Sequence, residues 1–232
     1  MKKRQLALLV ANIVSLSALA KDVDMSDPTA VYSSVGGTLS QNYGASGEET
    51  NGDVSIGVGW GKNLLSIESK DSMDSINTRY ARMGVLGDLG LYFDNTITTA
   101  KVLGEEEYHG YTASLGAIYS LKLNDILQLY PIVTIGSAGE LGGSHHRAIY
   151  TVGSYNRIQL GNGWSVGLDP FYTVVDGEKE DSFKFDTFVS YQYKSHQFRL
   201  GTTNQWQQAE EYDYSTSIET GGEVYFKYKY AF

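Results

Sequence analysis

The stretch Gly221–Phe232, GGEVYFKYKYAF, decides how the rest of the chain is read. Val224, Phe226, Tyr228, Tyr230 and Phe232 fall on one side of an extended segment, with Glu223, Lys227 and Lys229 on the other. The chain has only 8 Phe among 232 residues, and one of them occupies the final position. A free end frays and gains little from apolar side chains. The alternation therefore argues for a strand that is paired on both sides, with one face against an apolar medium.

The same period of two runs from about residue 29 to the end. Trp164, Val166, Leu168, Pro170 and Tyr172 alternate with Ser165, Gly167, Asp169 and Phe171. Val54, Ile56, Val58 and Trp60 repeat the pattern, as do Leu127, Leu129, Pro131, Val133 and Ile135. No stretch of comparable strength has a helical period. Twelve strands are predicted, near 29–40, 53–61, 64–70, 77–86, 89–97, 108–121, 126–136, 147–160, 163–175, 183–193, 197–206 and 214–232; ten is the lower count the spacing allows. Abundant Gly (26) and Tyr (18) with only 3 Pro suit strands joined by turns.

The connections alternate in length. Lys62-Asn63, Gly87-Asp88, Gly161-Asn162 and Lys194 to His196 are tight, whereas Gln41 to Gly52, Thr98 to Glu107, Ser137 to His146 and Asp176 to Ser182 are long and acidic. One end of the sheet thus carries tight turns and the other carries loops. That asymmetry belongs to an up-and-down antiparallel barrel crossing a membrane. A closed barrel is the sheet that leaves no backbone group unpaired in hydrocarbon. Trp60, Trp164, Tyr193 and Phe198 fall near the tight-turn end, and Tyr172, Phe183 and Trp206 near the loop end, as two aromatic girdles would require.

The start of the chain is read separately. Met1-Lys2-Lys3-Arg4 precedes an apolar run, Leu6 to Val14, broken only by Asn12; Ala18-Leu19-Ala20 reads as a cleavage site. Residues 1–20 are expected to be a signal peptide and residues 21–232 the barrel. The chain has no Cys, so disulfides and thiolate metal sites are out of play. The net charge of −9 argues against nucleic acid as a partner.

With the apolar rows facing lipid, the inward charges are expected to be Lys70, Arg82, Arg147, Arg157, Lys184, Arg199, Lys227 and Lys229, with Glu68, Asp94, Asp169, Asp186 and Glu223. Tyr80, Tyr92, Tyr130, Gln159, Gln192 and Gln197 are among the polar residues expected beside them. Inward charge is expected whether or not anything passes, because charge on the lipid face is costly.

The signal sequence, the strand rhythm and the ending Phe226, Tyr228, Tyr230 and Phe232 together resemble Gram-negative outer-membrane β-barrel proteins. In size and strand count the chain is also similar to the small monomeric twelve-stranded oligosaccharide porins, although their lining is more strongly cationic. The resemblance implies localisation in the bacterial outer membrane and a terminal strand that the barrel-assembly machinery recognises. It also implies outer-membrane lipids as surroundings, a monomer, and passive diffusion of small hydrophilic solutes, acidic sugars being one class. A non-conducting structural or surface-interaction barrel with acidic extracellular loops is the alternative, and a lipid-modifying enzyme the third reading.

The enzyme reading lacks residues. None of the four His has a Ser two residues downstream on the same strand face, as the outer-membrane phospholipase family would require. His145-His146-Arg147 lies near Ser144 and Glu140, but adjacent strand residues point to opposite faces. No catalytic residue, metal or cofactor is expected. Removing Phe232 is expected to lower the yield of membrane-inserted barrel severalfold while leaving the inserted protein's properties unchanged; heat-modifiable mobility of membrane fractions measures the yield.

Overall fold

The computed structural model describes residues 23–44, 47–101, 107–143, 146–176, 181–210 and 216–232. The expected signal peptide at 1–20 lies outside the described residues, as do Ser144, His145 and much of the acidic loop sequence.

Among the described residues, every regular element is a strand. In order these are β1 (Ser34–Gly44), β2 (Thr50–Trp60), β3 (Asn63–Lys70), β4 (Ser75–Leu86), β5 (Leu89–Lys101), β6 (Glu107–Tyr119), β7 (Leu121–Lys122), β8 (Leu127–Glu140), β9 (His146–Gly161), β10 (Trp164–Val175), β11 (Ser182–Tyr193), β12 (His196–Glu210) and β13 (Thr216–Ala231). Setting aside the two-residue β7, twelve strands pair antiparallel with their sequence neighbours. β6 bonds β8 directly, and β13 closes on β1. The architecture is all β, a closed twelve-strand up-and-down barrel.

Closure fixes both faces. Leu39 lies opposite Phe226 and Val35 opposite Tyr230, all outside; Thr38 lies opposite Lys227 and Gly36 opposite Lys229, all inside. The outer wall is apolar and uncovered, with Leu39, Val54, Leu115, Val133, Val152 and Leu200 each more than half exposed. A water-soluble fold would not present such a band. Lipid is the medium that accepts it.

The tight turns are built from left-handed backbone. Asn162 and Gly163 have φ of 50° and 83°, a pair that favours Asn-Gly because the turn twist then matches the strands. Among the described residues, the outward aromatics cluster by end. Trp164 meets Tyr191 at 4.8 Å and Tyr230 meets His196 at 5.1 Å near the turns, while Phe183 meets Trp206 at 5.5 Å near the loops.

Two features depart from expectation. First, β1 begins at Ser34, not at 29. Asp24 and Asp27 each bond the backbone N–H and hydroxyl of the residue two further on, Ser26 and Thr29, and thereby hold local turns in place of an extended strand. Pro28 supplies no N–H to a ladder. Residues 23–33 accordingly leave the wall and enter the barrel.

Second, the inner face is not uniformly polar. Ala81, Tyr92, Ile118, Tyr130 and Ile132 form a buried cluster there, with Met83, Tyr155 and Phe171 packed against it.

Where β6 and β8 approach, Gly116 leaves no room for a side chain. An added Cβ would strike the Val133 carbonyl oxygen and lie 2.7 Å from Thr134 Cα. Gly116→Ala is expected to destabilise the barrel by about 1–3 kcal/mol, the usual cost of overpacking. Gly52→Ala, whose Cβ would meet only Leu39 Cδ2 at 3.7 Å, should not. Thermal midpoints from heat-modifiable mobility compare the two.

Candidate functional site: a partly filled lumen

Strand register places Lys70, Arg147, Arg157, Lys184, Arg199, Lys227, Lys229, Glu68, Asp94, Asp169, Asp186 and Glu223 on the inner face. Arg82 is the exception and the expectation for it is corrected: it pairs with Asn63 and Leu91 on the outer face and is exposed. Tyr80 also faces outward, its ring 6.4 Å from Trp60. The inward cation of β4 is Arg79, opposite Ser66 and Asp94. Its signal in the sequence is its parity with Asn77 and Ala81, which only the correct register reveals.

Three ion pairs join six of these inward charges. Arg79 Nη2 lies 2.9 Å from Asp94 Oδ2, and the same carboxylate accepts bonds from Tyr92 Oη at 3.0 Å and Asn77 Nδ2 at 2.8 Å. Lys227 pairs with Glu68 across the lumen from β13 to β3. Arg157 Nη1 lies 2.5 Å from Asp169 Oδ1, with both side chains only 3% exposed. Each pair offsets the cost of holding charge away from bulk water.

The remaining central cations are not neutralised in this way. Among the described residues, Lys184, Arg199 and Lys229 make no ion pair within 4.0 Å. Arg199 instead sits over the Phe188 ring, 3.7 Å from its centroid, and its buried Nε has no hydrogen-bond partner. Lys229 Nζ is 5.9 Å from the Tyr32 ring centroid. The nearby Asp186 accepts a bond from Tyr225 Oη at 2.8 Å. The β11–β13 side of the lumen therefore carries charges of both signs, Lys184, Arg199 and Lys229 with Asp186 and Glu223, that are not joined in close ion pairs.

Residues 23–33 occupy the turn-side half of the barrel. Gln192 grips both faces of the backbone, donating from Nε2 to the Val23 carbonyl at 2.7 Å and accepting the Met25 N–H at 2.8 Å. Arg157 Nε donates to the Ser26 carbonyl at 2.8 Å, and Gln159 Nε2 to Ser26 Oγ at 2.7 Å. Asp27 reaches Lys122 at 3.7 Å.

Above the segment lies a cavity of about 460 Å³, whose lining includes Glu68, Arg79, Lys184, Arg199, Lys227 and Lys229. On the turn side a second cavity of about 400 Å³ includes Asp24, Gln159, Gln192 and Lys194.

Two of the histidines lie against tyrosine hydroxyls. His146 Nδ1 lies 2.9 Å from Tyr111 Oη, and His196 Nδ1 lies 2.9 Å from Tyr228 Oη. Among the described residues, no group of three His, Asp or Glu is placed to hold a metal ion.

No protein-family model matches the chain, and no curated protein matches it in sequence. Solved structures do. An outer-membrane channel from Pseudomonas putida F1 superposes with a TM-score of 0.56 at 13% identity, covering 91% of this chain and 99% of that one. The NanC porin gives 0.55 at 8% identity, covering 84% and 98%. The KdgM porin in complex with disordered oligogalacturonate gives 0.50 at 11% identity, covering 86% and 99%. At these identities the likeness is one of fold. The fold is that of a closed bacterial outer-membrane barrel.

Removing Asp169 would leave Arg157 buried and unpaired. Asp169→Ala is expected to lower stability by about 3–5 kcal/mol, the cost of breaking a buried pair from one side. Asp169→Leu combined with Arg157→Met should cost less than the sum of the single changes. Urea unfolding in detergent, followed by Trp fluorescence, distinguishes these outcomes.

Proposed function

We propose that the protein is an outer-membrane channel for passive diffusion of small hydrophilic solutes, with acidic sugars as the favoured class. The observation that carries this reading is a set of cations facing the central cavity outside the ion pairs: among the described residues, Lys184, Arg199 and Lys229 have no carboxylate oxygen within 4.0 Å. A purely structural interior would neutralise its buried charge, as Arg157 and Asp169 do. Unneutralised cations in a water-filled lumen attract anions and raise their local concentration.

The oligogalacturonate bound by the KdgM porin is a ligand of that class, and the other neighbours reported above are channels and porins too. A channel rather than an enzyme is therefore the reading that fold and charge both support. The barrel would act as a monomer, placed in outer-membrane lipid by the assembly machinery acting on Phe226, Tyr228, Tyr230 and Phe232. Lys70, Arg147 and Glu223 would extend the charged lining toward the loop end.

The lumen segment 23–33 favours a second reading, a barrel that is closed and serves a structural role. One measurement separates the two. Purified protein in planar bilayers is expected to give stepwise conductance, and silence over a wide voltage range would overturn the channel. In a salt gradient the triple change Lys184→Gln, Arg199→Gln and Lys229→Gln is expected to move the reversal potential toward cation selectivity. Lys227→Gln alone should move it less, because Lys227 is paired with Glu68.

A further inference from the structure

The segment 23–33 is placed by the wall rather than lying loosely inside it. The bonds from Gln192, Arg157 and Gln159 reach its backbone and Ser26, and those three side chains belong to β9 and β11. On the opposite side β2 makes room for it. A Cβ added at Gly59 would lie 2.7–2.9 Å from the backbone N, C and Cα of Tyr32. Only a residue without a side chain lets the segment approach the wall so closely. Ser33 Oγ also accepts the Gly59 N–H at 3.1 Å, which fixes the point where the segment joins β1.

The segment also divides the interior. Ser26 and Gln197 line both the central cavity and the turn-side cavity. The two cavities therefore adjoin where the segment faces Gln197 on β12. Two buried donors lack partners on that face, Gln197 Nε2 and Arg199 Nε. With no protein partner, these two donors are open to whatever occupies the lumen there, water or a solute that accepts the bond.

We infer that residues 23–33 form the selectivity constriction of the channel, with Ser26 and Tyr32 on one side and Gln197, Arg199 and Lys229 on the other. This rests on the channel reading above. The narrowest part of the pore is then made by a segment that contributes no hydrogen bonds to the barrel ladder until Ser33. It admits small solutes bearing hydrogen-bond acceptors, and it sets the pore's size limit independently of strand number.

Deletion of residues 23–31 tests the inference in planar bilayers. The shortened barrel is expected to conduct about twofold or more better than the intact chain and to discriminate less between anions and cations. Equal conductance and equal selectivity would overturn the inference while leaving the channel intact. Silence from both proteins would instead remove the channel reading on which it rests.

Should the deletion fail to fold, Gly59→Val displaces Tyr32 while keeping a strand-forming residue in β2, and the same increase is expected. Ser26→Cys gives an independent readout, since the native chain has no Cys. A cationic methanethiosulfonate reagent should lower its conductance and an anionic one should shift the reversal potential toward cations. A current unchanged by both reagents would place Ser26 away from the pathway and overturn the assignment.

Discussion

The rest of the structure depends on the pairing of the last strand with the first. In hydrocarbon an open sheet edge cannot bond to water, so the sheet must close on itself. The ladder from Ser34 opposite Ala231 to Gly44 opposite Gly221 performs that closure. It forces β13 to present Val224, Phe226, Tyr228 and Tyr230 outward and Lys227 and Lys229 inward. The alternation at the chain's end is thus a consequence of closure. The pairing runs to the last residue: Phe232 N–H donates to the Ser33 carbonyl at 3.0 Å, one residue before β1 begins.

Closure decides what the interior must be. Charge excluded from the lipid face collects inside, where it must be paired, hydrated or stacked. All three solutions appear. Arg157 and Asp169 are paired and buried; Lys227 and Glu68 bridge the lumen; Arg199 lies against the Phe188 ring, an arrangement that suits a planar guanidinium with weak hydration. Arg157 is also the residue through which wall and segment communicate. Its Nη1 holds Asp169 while its Nε holds the Ser26 carbonyl, so the buried pair orients the donor that seats the segment.

How much of this was legible in the sequence follows from the period of two. Where turn residues frame a strand and its rows differ sharply in polarity, as in β10 and β13, both the strand and the direction of each side chain were readable. β4 was harder. Its sequence, SINTRYARMGVL, carries Arg at both 79 and 82, so the two charges fall on opposite faces and the polar row has no clear winner. An irregularity in the pairing with β5 between Arg82 and Leu86 disturbs the alternation further. A Tyr near an interface can also face lipid with its ring while its hydroxyl finds a polar partner, as Tyr80 does with Asn63 Oδ1 at 2.8 Å. Polarity alone therefore placed Arg82 and Tyr80 inward, where Arg79 belongs.

The lumen segment was illegible for a different reason. Ala30, Val31 and Tyr32 sit just before a true strand and extend its pattern, so periodicity assigns them to β1. What removes them from the wall is side-chain chemistry at distance: Gln192, Arg157 and Gln159 are far away in sequence and meet the segment only once the barrel has closed. The dependence runs in one direction. The ladder from β1 to β13 is complete without residues 23–32, whereas those residues have no binding surface until the ladder exists. Such an element can be lost or rearranged at less cost than any strand, since local openings draw on the least connected parts of a fold. The wall is therefore the fixed part of the fold, and the segment is the part within it that can change without breaking a strand.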